Sequence, residues 1–352
     1  MNLLEATIAR IPEPDLTAAR ETQAHLDRKT KPPGSLGRLE GLACTLAAIR
    51  GTADLDLPPK AIVVMAGDHG VAEEEVSAFP QAVTAQMVQN FARGGAAINV
   101  LARQAGARVV VVDMGVKSPL PPHPEVRSVR IGPGTRNLAR GPAMSRDETV
   151  RALEAGIAVA EELAASGVEL VGIGEMGIAN TTSASALAAA FTGASPEEVT
   201  GRGTGIDGAG HRRKVEVVRQ ALAVNEHDPA DALDTLARLG GFEIAGLAGV
   251  VLGCAARRVP VLVDGFIATA AALAAARIAP RAAYALIASH QSVEIGHRHL
   301  LAALGKRPLL DLDLRLGEGT GAAIAMHLVD AAVHVLREMA TFASAGVSGA
   351  ER

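Results

Sequence analysis

The run Ala61-Ile62-Val63-Val64-Met65-Ala66 passes directly into Gly67-Asp68-His69-Gly70. Six apolar side chains in succession leave no polar face, so a strand here must be covered on both sides. A parallel sheet between two layers of helices provides that environment. Residues 108–113, 168–174, 260–264, 283–289 and 308–313 are further strand candidates, separated by longer Ala- and Leu-rich stretches. The alternation predicts an α/β fold: a mostly parallel, Rossmann-like sheet with helices on both faces.

The helices are punctuated. Ser145-Arg146-Asp147-Glu148 reads as a capping box, followed at helical spacing by Val150, Leu153, Ile157 and Ala160, with Gly167 as the stop. Asp228-Pro229 reads as an N-cap and first-turn proline, with Gly240-Gly241 closing that helix. Pro80 precedes a helix through Asn90 that weakens at Gly94-Gly95. The first 50 residues and the tail are helical in pattern. They predict a small helical domain from residues 1–50 plus 330–352, beside a catalytic domain over 51–329.

Bulk properties exclude several classes. A net charge of -4 gives no basic field for nucleic acid or an anionic membrane. Aromatic content of 2% leaves no stacking platform for single strands. Cys44 and Cys254 lie in apolar helical patterns and read as buried, reduced thiols. The N-terminus lacks a secretory pattern, and the apolar stretch 244–256 is too short to span a bilayer, so a cytoplasmic enzyme without membrane contact is expected.

Glycine-rich polar clusters follow the strand candidates: Gly67-Asp68-His69-Gly70, Asp113-Met114-Gly115, Gly174-Glu175-Met176-Gly177, Asp264-Gly265-Phe266 and Ser289-His290-Gln291-Ser292. Ligands of parallel sheets bind beyond the carboxyl ends of strands, where these clusters fall. Gly317-Glu318-Gly319-Thr320-Gly321 precedes a helix and reads as an anion cradle with an acid inside it. Gly172-x-Gly174-x-x-Gly177 and Gly203-x-Gly205-x-x-Gly208 match the nominal dinucleotide fingerprint, but the first is not followed by a second strand ending in an acid and the second follows no strand at all. A phosphate or ribose loop fits better, with Asn180 and Thr181 as hydrogen-bonding groups. A dinucleotide oxidoreductase and a non-catalytic nucleotide-binding module are the rival readings. No P-loop is present. Lys214, in Arg212-Arg213-Lys214, can place a cation on a phosphate or simply begin a solvated helix. His69, His290, His297 and His299 form no metal-binding motif, so no metal is expected. Residues 77–87 read as one wall of a pocket for a flat heterocycle, with Ser77 or Gln86 contacting a ring nitrogen.

Several segments together resemble the nicotinate-nucleotide:dimethylbenzimidazole phosphoribosyltransferase family. They include Lys31-Pro32-Pro33-Gly34-Ser35-Leu36-Gly37-Arg38-Leu39-Glu40, Ala66-Gly67-Asp68-His69-Gly70-Val71, Gly134-Thr135-Arg136-Asn137, and residues 77–88, 175–182, 203–207, 289–296 and 315–323. The likeness spans roughly residues 27–330. It implies phosphoribosyl transfer from nicotinate mononucleotide to 5,6-dimethylbenzimidazole, a homodimer and no cofactor. It implies Glu318 as general base and Glu175 as the second active-site acid. It also implies Ser77 and Gln86 by the benzimidazole, Gly177, Lys214, Ser292, Gly319 and Gly321 around the phosphate and nicotinate, and Asp264 by the ribose.

Overall fold

The computed structural model describes residues 2–56, 59–228 and 230–348. The strands are β1 (Lys60–Gly67), β2 (Ala107–Gly115), β3 (Val126–Ser128), β4 (Leu170–Met176), β5 (Val261–Val263), β6 (Leu286–Ala288), β7 (His290–Gln291) and β8 (Leu310–Asp311). Six of them form one parallel sheet in the order β3-β2-β1-β4-β5-β6, the doubly wound order of a Rossmann-like fold.

The continuous apolar run of β1 is explained by its two faces. Ala61, Val63 and Met65 enter one core with helices Arg146–Ala165, Asn180–Thr192, Phe242–Ala256 and Phe266–Ile278. Ile62, Val64 and Ala66 enter the other with helices Arg38–Arg50, Ala82–Ala92, Ala97–Gln104 and Thr320–Glu338. Burial of each Ile, Val or Met side chain contributes roughly 1.5–3 kcal/mol, set against the entropy of ordering it. The Ser145 capping box forms as expected: Ser145 Oγ accepts from Glu148 N at 3.1 Å and Glu148 Oε2 from Ser145 N at 2.6 Å.

Four expectations are corrected. Residues 308–313 do not join the main sheet; β8 pairs with β7 in a separate two-stranded sheet. The sixth main strand is β3, an edge strand of three residues, too short to carry a period. Candidate 283–289 starts in the 3-10 turn Pro280–Ala285, and only Leu286–Ala288 pairs. The helix after Asp228 is capped by Asp231, whose side chain accepts from Asp234 N; Pro229 lies outside the described residues.

The two chain ends do meet. Phe342 N donates to Arg28 O and Thr30 N to Ala340 O. Helix Thr320–Glu338 nevertheless runs unbroken through residue 330, so a boundary there would cut a helix. Leu4 and Ile11 belong to the first core, so the opening helix Leu3–Arg10 packs with the large unit. Residues 349–352 lie outside the described part. Cys44 is half-buried and Cys254 buried, and both are free thiols.

Candidate active site

The chain leaves β1 toward β2 and leaves β4 toward β5, on opposite sides of the β1–β4 pair. The crevice beyond the carboxyl ends of two such strands is the ligand position of doubly wound sheets. A cavity of about 390 Å³ lies there. Phe79, Val83, Met87, Met176, Ile178 and Leu316 give it an apolar lining. Its polar groups are Glu175, Asn180, Thr181, Thr204, His290, Ser292, Glu294, Arg315 and Glu318.

Glu175 is delivered by β4 and is buried, with Asn180 Nδ2 donating to its Oε2. Burial pushes its carboxyl up to about 8; the carboxylates of Asp264, Glu243 and Glu318 act in the same direction, and the Asn180 bond opposes them. Glu318 is also buried. Its Oε2 accepts from Ile98 N at 3.3 Å, while desolvation raises its carboxyl above the ordinary value. Gly317, Glu318 and Gly319 have φ of 86°, 62° and 90°. Glycine adopts this left-handed region freely, but for Glu318 it costs about 1–3 kcal/mol and needs a surrounding structure that enforces it.

Asp264, directly after β5, provides that enforcement. Its Oδ2 accepts from Gly319 N at 3.0 Å, and its Oδ1 from Gly321 N at 2.7 Å and Ala322 N at 3.3 Å. These are the N–H groups that open helix Thr320–Glu338 and would otherwise lack partners. The expected phosphate cradle is therefore already filled by a carboxylate of the chain itself. Gly319 and Gly321 offer no free N–H to a phosphate, and Asp264 has both oxygens engaged rather than turned to a ribose. Burial pushes Asp264 up to about 7, opposed by these N–H donors. Gly321 has a steric role: a Cβ there would lie 1.9 Å from His290 Nδ1.

The fingerprint glycines also have a packing explanation. A Cβ at Gly172 would lie 2.4 Å from Ile62 Cδ1, and one at Gly174 2.2 Å from Gly319 N. They let helix Thr320–Glu338 and the Glu318 loop lie against β4. At the second match, Asp207 caps helix Gly208–Val224 by accepting from Gly210 N at 2.7 Å, an ordinary helix entry. Nothing at either match supports the dinucleotide reading.

Of the residues expected at the site, Glu175, Glu318, Gly177, Asn180, Thr181 and Ser292 line the cavity. Ser77 stands one step back, its Oγ 3.2 Å from Thr204 Oγ1. Gln86 is exposed and off the cavity; on helix Ala82–Ala92 it is Val83 and Met87, one turn apart, that line it. Lys214 is fully buried behind the wall, donating to Thr181 Oγ1 at 2.7 Å, and burial pushes its ammonium down to about 8. It is neither a solvated helix start nor a cavity-lining cation. Sequence reasoning gave Glu294, Thr204 and Arg315 no individual role, although all three lie in segments that carry the family resemblance. Glu294 Oε1 accepts from Gly203 N at 2.9 Å and so fixes the loop that carries Thr204. His297 supports Ser292, accepting at Nδ1 from Ser292 N at 2.9 Å, with Nε2 on Thr269 Oγ1. Among the described residues no group of three His, Cys, Asp or Glu is arranged to hold a metal.

Fold and site define a doubly wound α/β protein with three buried carboxyl groups, Glu175, Glu294 and Glu318, lining an apolar-walled cavity at the switch point. A family model described as phosphoribosyltransferase matches residues 11–347. The nicotinate-nucleotide–dimethylbenzimidazole phosphoribosyltransferase of Chloroflexus aggregans is 57% identical over 348 residues, covering 99% of each chain. The enzyme of the same name from Geobacter metallireducens is 56% identical over 347 residues, covering 99% of this chain and 98% of the relative. The crystal structure of CobT from Thermus thermophilus superposes with a TM-score of 0.92 at 49% identity, covering 95% of this chain and 100% of that one. The chain belongs to this phosphoribosyltransferase family.

Proposed function

We infer that the protein transfers the phosphoribosyl group of nicotinate mononucleotide to 5,6-dimethylbenzimidazole. The products are α-ribazole 5'-phosphate and nicotinate, in the nucleotide-loop branch of cobalamin biosynthesis. The observation that carries this is the pairing of Glu318 and Glu175, both buried, with an apolar lining sized for a flat heterocycle.

One benzimidazole nitrogen attacks the anomeric carbon while the bond from that carbon to the pyridinium nitrogen breaks. Its electron pair neutralises the departing ring, so the leaving group needs no acid. The second benzimidazole nitrogen gives its proton to Glu318. Attack opposite the leaving group converts β to α configuration. Positive charge developing on the ribosyl group is favoured by the surrounding carboxyl groups to the extent that they are ionised. Asp264, held by three N–H groups, acts through the Glu318 loop. Mixing the protein with both substrates and following nicotinate release tests the reaction; no release at any pH from about 6 to about 9, the range spanning the raised carboxyl groups, would reject it.

The pH dependence has a definite sign. Glu318 accepts a proton only when ionised, and its carboxyl is raised, so kcat/KM climbs with pH through that raised value. Glu175 loses its proton near 8, bringing a further carboxylate charge beside an anionic substrate; its repulsion on binding outweighs its gain at the ribosyl cation, so kcat/KM falls above about 8. A bell-shaped profile is expected, and initial rates across that range check it. Asp264→Asn keeps the shape but weakens the hold on the loop. It is expected to lower kcat by about 10²-fold, the scale of a misplaced catalytic group, with the KM for nicotinate mononucleotide little changed. A change confined to KM would return Asp264 to the ribose.

We further propose that the protein works as a cytoplasmic homodimer. Phe79 and Leu316 line the cavity yet are 53% and 57% exposed, which supports a second copy covering that rim. Light scattering of the purified protein tests it. No helix among the described residues is long and apolar enough to cross a membrane. We also propose that residues 16–50 and the segment from Met339 on, which meet at Arg28 and Thr30, act as one helical unit, which limited proteolysis near residue 51 tests.

A further inference from the structure

Behind the cavity, out of contact with solvent, lies a histidine–glutamate pair that the transfer reaction does not use. His69 Nε2 is 2.5 Å from Glu243 Oε1, and neither side chain has any exposure. His69 belongs to the turn after β1, and Glu243 to the first turn of helix Phe242–Ala256. Burying two ionisable groups is costly unless every polar atom is paired. Among the described residues, His69 Nδ1 and Glu243 Oε2 have no hydrogen-bond partner, and neither has Oδ1 of the adjacent Asp68. A fold that needed only packing at this point would hold apolar side chains.

The surroundings are shaped to the pair. A Cβ at Gly67 would lie 2.8 Å from Glu243 Oε2, and one at Gly241 2.8 Å from the same atom and 2.3 Å from His69 Cε1. A Cβ at Gly177 would lie 2.4 Å from Gly67 O, 3.1 Å from Glu243 Oε1 and 3.3 Å from Asn180 Nδ2. The Glu243 carboxylate therefore lies close behind Gly177, in the turn that runs from Glu175 to Asn180, and Asn180 holds Glu175 directly. In the opposite direction Gln81 Nε2 donates to His69 O at 3.0 Å, and Asp68 Oδ2 accepts from Lys117 N at 2.8 Å, so the turn that carries His69 is anchored.

We propose that His69 and Glu243 are a positioning pair for Glu175: they fix the turn that carries Glu175 and Asn180, and they set the charge that the Glu175 carboxyl faces. The inference rests on Glu175 being a site group, as argued above. The charged and titratable groups around Glu175 are Glu318 from the loop before helix Thr320–Glu338, Asp264 from the end of β5 and Glu243 from behind, with neutral Asn180 on its own helix entry. Of the three carboxyl groups, Glu243 alone is off the cavity wall and not engaged with the Glu318 loop. It can be changed without touching the substrate.

Glu243→Gln keeps the shape and removes the charge. With one fewer like charge nearby, Glu175 should ionise more readily. The high-pH limb of kcat/KM is expected to move down by about 1 pH unit. A residue with only a structural role would lower the rate at all pH values without moving that limb. An unmoved limb in a folded variant overturns the proposal. His69→Gln, which retains an N–H for Glu243, is expected to keep the limb in place. A second measurement needs neither activity nor a folded Glu243 variant. In the wild-type protein, nitrogen-15 signals of the His69 ring should shift in the same pH step as the Glu175 carboxyl carbon, and that shift should vanish in Glu175→Gln. Absence of the shared step overturns the pair even if transfer is confirmed. Its presence without transfer would reject the functional reading and leave the pair standing.

Discussion

Glu318→Gln is expected to fold as the parent does, to bind both substrates, and to lose about 10²- to 10⁴-fold in kcat, the usual worth of general-base assistance. The amide is nearly isosteric with the carboxyl group. It can still accept from Ile98 N, the one hydrogen bond of the Glu318 side chain among the described residues. The left-handed loop is held through backbone N–H groups on Asp264, which the substitution does not touch. What disappears is a group able to take the benzimidazole proton. A drop of that size corresponds to roughly 3–5 kcal/mol of barrier. The loss should fall on kcat, because the proton moves only in the transition state. Because burial raises the Glu318 carboxyl, the parent-to-variant ratio should also shrink toward acid pH, where the parent's own base is protonated. Steady-state rates at three pH values, with circular dichroism as the fold control, check it. A variant within about threefold of the parent at about pH 8 would remove Glu318 from the base role, since general-base catalysis is worth far more than that.

The sheet was legible because burial on both faces writes itself as uninterrupted apolar runs, and β1 is the clearest of them. The edge strand β3 was not, because three residues at a margin, two half-buried and one exposed, carry no period. Glu175 and Glu318 were legible as acids set among glycines at strand ends. The use of those glycines was not. Gly172, Gly174 and Gly321 look like nucleotide-loop residues in sequence. In three dimensions they are places where a loop, a helix or a histidine ring comes too close for a Cβ. Only the family resemblance places Asp264 by the ribose. That it caps a helix more than 50 residues later, at Gly319 and Gly321, is a tertiary fact with no local signature. Glu243 was invisible for a similar reason. It opens an apolar helix, where an acid is favourable at any helix N-terminus. Only its contact with His69 separates it from an ordinary first-turn glutamate.

Gly174→Ala should be the most damaging single methyl group added near the site. The new Cβ would lie 2.2 Å from Gly319 N, 2.3 Å from Glu318 C and 2.5 Å from Glu318 O. All three are backbone atoms of the left-handed loop, so no side-chain rotation relieves the clash. Either β4 or the loop must move, by on the order of 1 Å, and a catalytic group misplaced by that distance commonly costs about 10²-fold in rate. Overpacking of this kind also costs about 1–3 kcal/mol of stability, visible as a lowered urea midpoint. Gly41→Ala is the control. Gly41 sits inside helix Arg38–Arg50, with nothing within 4 Å of its would-be Cβ. Alanine there should hold stability or raise it, by up to about 1 kcal/mol of helix propensity, and leave the rate unchanged. If Gly174→Ala behaved like Gly41→Ala, the Glu318 loop would not be held against β4. The base would then owe its position to Asp264 alone.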